Sequence, residues 1–367
     1  RPTVIAIAHL QGLQRRITNR PHRPEVSKRG SPEDSHQKAG KTVTPNRLRR
    51  HRSHLSRSLN ARAQCEVDLA MSDGTDNLLQ QFWMIAIVGV DKSDDLGCRH
   101  SLLAQDLNFF DAAQTCLAVS APVRTLAGTL WVEVEVPGVP QPRRCSLLRW
   151  VTGRMLSRGL RPHHLQALGR LMAGLHTHAA RWPLPAGFSR PRYDWQGLFG
   201  DNDFVKVPSG KVWTSIPPEY YPAFELVTTK VRGVMGEFGQ GTEAFGLIHA
   251  DIGLGANILF GGAEARAIDF DDCAFGYWMF DLGVAFSEVY SDESFAQYKD
   301  ALLEGYTQVR SLPEEQWVHL DLFIATWHAF EMYWATAGAI RFPGSNEAYG
   351  RWVDRAAQDM LHCIERF

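Results

Sequence analysis

Long hydrophobic runs are missing from this 367-residue chain. No apolar stretch approaches the roughly 18 residues that a bilayer-spanning helix needs, so no membrane-embedded helix is expected. Cysteine is sparse. The six cysteines, at 65, 98, 116, 145, 273 and 363, include no C-x-x-C pair. They offer neither a disulfide framework nor a zinc spacing, and they suit free thiols in a reducing, cytoplasmic setting. Net charge is nearly absent too, at −1, but it is unevenly spread. Residues 1–63 carry 15 Lys and Arg against 3 Asp and Glu, which leaves 24 against 37 for the remainder. An acidic body disfavours nucleic acid and suits a cationic substrate or a metal. The basic head has no aromatics among Arg15, Arg16, Arg20, Arg49, Arg50 and Arg52, so the stacking used to hold single-stranded nucleic acid is lacking. Residues 1–40, rich in Arg, Pro and His, read as a basic disordered tail.

What is present is concentrated between Gly246 and Leu282. Phe245, Leu247 and Ile248 form an apolar run that delivers His249 and Asp251 to a strand end. Ile258, Leu259 and Phe260 form a second run, Gly261-Gly262 reads as a two-residue turn, and Ala265 to Ile268 reads as the return strand. The hairpin would gather Asp251, Asn257 and Asp269 at one end of a small sheet, with Asp271 and Asp272 alongside. Such a set suits phosphoryl transfer. One carboxylate takes the proton of an attacking hydroxyl, while an amide and a second carboxylate offer the hard oxygens that magnesium prefers.

The run His249-x-Asp251 followed by Asn257 and Ile268-Asp269-Phe270-Asp271-Asp272 resembles the aminoglycoside phosphotransferase and choline kinase group of small-molecule kinases. That resemblance implies an α+β, bilobal, protein-kinase-like fold with a small antiparallel-sheet N-lobe and a mainly helical C-lobe. It implies ATP and magnesium as cofactors and a small-molecule hydroxyl as acceptor. Asp251 would be the catalytic base and His249 would brace its loop. Asn257 and Asp269 would hold metal, with Asp271 adding a contact, and Asp281 would cap the loop backbone. In the family the Asn lies five residues after the Asp; here it lies six after, with Gly253-Leu254-Gly255-Ala256 in the interval. Two glycines can absorb the extra residue in a bulge, or the insertion can carry Asn257 off the metal.

The resemblance also implies roles earlier in the chain. Leu48-Arg49-Arg50-His51-Arg52 is similar to the strand whose basic residue touches ATP phosphates, and Cys65 to Ala70 to the helix whose Glu66 pairs with it. No G-x-G-x-x-G precedes that strand. Ser146 to Arg154 matches the hinge where adenine meets backbone, near Leu148 and Trp150. The expected organisation is a tail (1–40), an N-lobe (41–149) with an unplaced insertion at 72–115, and a helical C-lobe (150–367). Within the insertion, Gln81 to Val90 is apolar enough for a strand or a helix. A hairpin is expected from Val123–Thr125, a turn at 126–128, and Thr129–Val136.

Leu165, Leu168, Met172, Leu175 and Ala179 mark one face of a helix over Pro162–Arg181, in which His176 reads as a packed residue. Tyr220–Phe238 and Ser294–Val309 read as further helices. Ser311-Leu312-Pro313-Glu314 reads as a capping box opening a helix to about Ile340, and a last helix runs from Glu347. Glu331, spaced four and three from Trp327 and Trp334, could line a cleft for a cationic substrate. Three other readings use the same residues: a protein Ser/Thr kinase, a non-catalytic scaffold favoured by the shifted Asn257, and a metal phosphohydrolase.

Overall fold

The computed structural model of the chain describes residues 84–89, 117–134, 143–156, 158–202 and 205–366. All lie in the unit Gln80–Phe367. The tail, Arg49 and Glu66 fall outside the described residues.

Strands β1 (Met84–Gly89), β2 (Val132–Val134) and β3 (Arg143–Arg149) form an antiparallel sheet in the order β1-β3-β2. The segment left open between strand and helix is therefore a strand, with Met84 opposite Arg149 and Gly89 opposite Arg144. Pairing with β3 decides what six apolar residues alone do not. The expected hairpin at 123–136 forms only its turn, in which Thr125 N donates to Thr129 O at 2.8 Å and Gly128 N to Thr125 O at 2.9 Å. Both flanks pair with β3 instead. β2 takes one end, Val132 opposite Cys145, and Pro122 bridges Leu148 at the other. A three-residue β2 leaves part of that edge open, and residues 121–123 satisfy it.

Helix α1 (Pro162–Arg181) starts at a proline whose missing N–H costs nothing in the first turn, and it buries Leu165, Leu168, Met172, Leu175 and His176. After it come β4 (Arg192–Tyr193), α2 (Trp195–Phe199, capped by Asp194) and α3 (Ser209–Ser215). Next is α4 (Tyr221–Phe238), whose Phe224, Val227, Val231 and Val234 form its buried face. Then β5 (Phe245–Ile248), β6 (Ile258–Gly261), β7 (Glu264–Ala267) and β8 (Ala274–Tyr277) follow in quick succession.

These last strands do not make one sheet. β6 and β7 pair with each other, while β5 pairs antiparallel with β8, which also carries β4 in parallel. The β6–β7 turn is Gly262-Ala263, one residue later than the Gly261-Gly262 expected, because Gly261 pairs with Glu264. Gly262 takes φ +63° and Ala263 keeps a negative φ. One left-handed residue in first position suits the twist of a two-residue hairpin turn.

Helix α5 (Trp278–Ser287) is buried from Trp278 to Phe286. It is followed by α6 (Phe295–Thr307), α7 (Glu314–Trp317), α8 (Leu320–Arg341) and α9 (Asn346–Ile364). The capping box is not made: Pro313 precedes the first turn with no side-chain cap, and a turn at 318–319 separates α7 from α8. α8 packs against α4, α5 and α9 and is buried on nearly every side. Its least buried stripe is Trp327, Glu331 and Trp334. No described helix is long and apolar enough to cross a membrane.

Candidate active site

β5 is buried and ends at Ile248. The chain then turns sharply at Ala250, which holds φ +68°. A left-handed alanine is strained and persists only where its surroundings fix it. Asp281, in the first turn of α5, does so. Its Oδ1 accepts from Ala250 N at 2.7 Å and its Oδ2 from His249 N at 3.0 Å. Oδ2 also lies 3.1 Å from His176 Nε2 on α1, and His176 Nδ1 is 2.8 Å from the Tyr306 hydroxyl on α6. Burial alone would raise the Asp281 carboxyl. The hydrogen bond and charge of His176, the charge of His249 and the Ala250 N–H outweigh it and hold the group below its ordinary value. Burial pushes both His176 and His249 down, against the pull of Asp281. Neutral His176 then donates from Nε2 to Asp281, and its Nδ1 accepts from Tyr306.

His249 ties two loops together. Asp251 N donates to its Nδ1 at 3.3 Å, and its Nε2 reaches Ile268 O at 3.0 Å. Its ring lies 4.4 Å from that of Phe270. The partners assign the proton to Nε2, since Nδ1 accepts.

The extra residue of the Asp251–Asn257 interval is taken up in a tight turn. Asn257 N and Ala256 N both donate to Gly253 O, at 3.0 and 3.3 Å. The turn returns Asn257 to Asp251, where Nδ2 donates to Asp251 O at 2.7 Å and to Oδ2 at 2.9 Å. Asn257 O accepts from Ile268 N at 3.0 Å, which sets Asp269 beyond the facing strand end. Asp269 also has a positive φ, +63°. Burial pushes its carboxyl up to about 8, together with a hydrogen bond and charge from Asp271 and the charges of Asp251 and Asp272. Asp269 keeps an exposed surface, and the neighbouring carboxylates oppose its ionisation by like-charge repulsion. The backbone after Asp269 is pinned by buried Arg190, whose guanidinium donates to Cys273 O and, at 2.6 Å, to Asp271 O.

Other predicted residues fall elsewhere. Leu148 lies inside β3 between Ile85 and Pro122, so its backbone is enclosed by the sheet. Trp150 lies just past the strand and is 48% exposed. Glu331 Oε2 accepts a hydrogen bond from His328 Nδ1 at 3.1 Å. Trp327 packs on Phe280 and Trp334 on Trp352, with ring centroids 6.0 and 5.0 Å apart. Sequence reasoning passed over Arg190 and Glu288 and took His176 for packing alone. An arginine in an aromatic loop was the one available signal; the partners of His176 and Arg190 lie more than 80 residues away in sequence, and that of Glu288 lies 33 away on another element.

Among the described residues no group of three or more His, Cys, Asp and Glu is arranged to hold a metal by itself. A magnesium site for phosphoryl transfer needs fewer protein ligands, because the ion keeps waters and takes phosphate oxygens. The carboxylates crowded about Asp269, whose own proton is held well above the usual range, and the Asn257 amide beside Asp251 are a donor set that fits such an ion.

Residues 98–318 match the family described as APH, phosphotransferase enzyme family. No curated protein sequence matches the chain. Among solved structures, a microcompartment-associated aminopropanol kinase is 25% identical with a TM-score of 0.62, covering 77% of this chain and 85% of its own. An amicoumacin kinase in complex with AMP-PNP and Ca2+ is 16% identical with a TM-score of 0.57, covering 76% and 80%. A spectinomycin phosphotransferase in complex with ADP and spectinomycin is 13% identical with a TM-score of 0.50, covering 77% and 88%. The latter two speak for the fold, which is α+β and protein-kinase-like. The family match spans more than half of the chain and contains both loops built above, and the chain therefore belongs to the APH phosphotransferase enzyme family.

Proposed function

We propose that this protein transfers the terminal phosphoryl group of ATP to a hydroxyl of a small molecule, with magnesium. The observation that carries the reading is the Asn257 carboxamide on Asp251 despite the longer interval between them. Asp251 takes the acceptor hydroxyl's proton, and Asn257 and the bent backbone fix its carboxylate for that step. Asn257 and Asp269, with Asp271, would hold magnesium, whose chemistry is to neutralise charge on the phosphates. Trp150 and the residues after it would border adenine. Leu148 is less suited, since its backbone is enclosed in β3. Arg49 and Glu66 keep their proposed phosphate role as a reading of the sequence alone.

The acceptor we favour carries an amine. The acidic body, and Glu331 between half-buried Trp327 and Trp334, support it. The test is a thermal shift with ATP and magnesium, with ATP and EDTA, and with Asp269→Ala, followed by a screen of amino alcohols. A magnesium-dependent rise lost in the variant supports the site. Absence of any shift at millimolar ATP sinks the kinase reading and leaves a scaffold, and phosphate release from monoesters without ATP would favour a hydrolase.

A further inference from the structure

The interval between Asp251 and Asn257 is held from outside by a side chain with no other evident reason for its place. Glu288 follows the last turn of α5, and its exposed carboxylate Oε2 accepts from Gly255 N at 2.8 Å. An acid at a helix C-terminus opposes the helix dipole, and no basic residue of the last turn offsets it. Two glycines of the loop press against the same group. A Cβ on Gly253 would stand 2.7 Å from Oε1, and a Cβ on Gly255 2.9 Å from Oε2. Neither glycine has a positive φ, so what a side chain there would displace is the Glu288 carboxylate and not the loop's own backbone conformation. The contact lies inside the turn whose closing bonds, Ala256 N and Asn257 N to Gly253 O, return Asn257 to Asp251.

We propose that Glu288 is a positioning residue for this loop: its carboxylate holds the longer interval in the turn that sets the Asn257 carboxamide on Asp251. The consequence for magnesium rests on the function proposed above; the hold on the loop does not. Gly253→Ala should then act through Glu288, pushing the carboxylate away and breaking its bond to Gly255. The nearest other atom to that Cβ is Ala256 Cβ at 3.6 Å, an ordinary contact.

The experiment compares Glu288→Ala, Glu288→Gln, Gly253→Ala and the Gly253→Ala/Glu288→Ala double variant in the full chain. Hydrogen exchange of peptides covering 253–257 is read beside a magnesium titration at fixed ATP. Glu288→Ala should speed exchange about tenfold or more, as for loss of one charge-assisted hydrogen bond, and raise the magnesium requirement several-fold. Glu288→Gln, whose amide oxygen still accepts from Gly255, should rescue most of both. Gly253→Ala should reproduce the loss, and the double variant should be no worse than Glu288→Ala alone. Unchanged exchange in Glu288→Ala, or effects that simply add, would overturn the assignment. If the wild type binds no magnesium nucleotide, the proposed function fails, and exchange alone still decides the role of Glu288.

Discussion

At the scale of single residues, Asp281 shows why one buried charge fixes an active loop. Two backbone N–H groups and one imidazole converge on its carboxylate, at 3.0, 2.7 and 3.1 Å. Replacing it with alanine strands those donors in the interior and frees strained Ala250. Asp281→Ala should cost about 3 kcal/mol in urea unfolding, since buried donors left without an acceptor cost about 1 to 3 kcal/mol each. A cost below about 1 kcal/mol would mean that the loop is held by other contacts. Asp251→Asn tests a different property. The amide keeps the shape of the side chain but does not accept the proton, so phosphoryl transfer should fall about 100-fold to 10,000-fold. Nucleotide binding, read by thermal shift, should survive; its loss would make Asp251 a binding group instead. Asp251, Asn257 and Asp269 were legible in the sequence because their order and spacing follow one short hairpin. Glu288 and Arg190 were not, because their partners are brought near by folding alone.

Between elements, His176 is the joint. It links α1 to Asp281 on α5 and to Tyr306 on α6. Burial holds His176 and His249 below the ordinary imidazole value. The unfolded chain takes up these protons as pH falls through about 6.5, whereas the folded chain does so only at lower pH. Their contribution is therefore complete above that pH and is lost below it. Asp281, held low, contributes in the same direction at still lower pH. Asp269 has the opposite sign, since its raised value costs stability as pH climbs from about 4 to about 8. Comparing His176→Gln with wild type cancels that shared part. The difference in Tm between the two should shrink from pH 7.5 to pH 5.5; a constant difference would show that His176 does not titrate on unfolding. The β6–β7 turn offers a second check. Gly262→Val places a branched side chain at φ +63° and should cost about 1 to 2 kcal/mol in urea unfolding. A neutral result would show that the turn re-forms around another residue.

The whole molecule responds to ligand through linkage. Magnesium with nucleotide at about 100 times its Kd should stabilise the fold by about 2.7 kcal/mol, a rise of roughly 5 °C in Tm for a domain of this size. A rise of that size with EDTA present would remove magnesium from the account.

The sequence by itself determined the order of the two candidate-site loops, the period of α1, α4 and α6, and the apolar runs that became β5 to β7. Each of these is set by neighbours a few residues apart. Only the tertiary structure decided that β1 is a strand, since Ile85 and Ile87 make a strand by pairing with Leu148 and Ser146. It also broke the expected hairpin at 123–136 between two stretches of β3, and divided the late strands into separate pairs. The return of Asn257 to Asp251 was decided there as well. Two glycines permit many turns, and the choice among them is made by a carboxylate 33 residues downstream and by the bond between Asn257 O and Ile268 N.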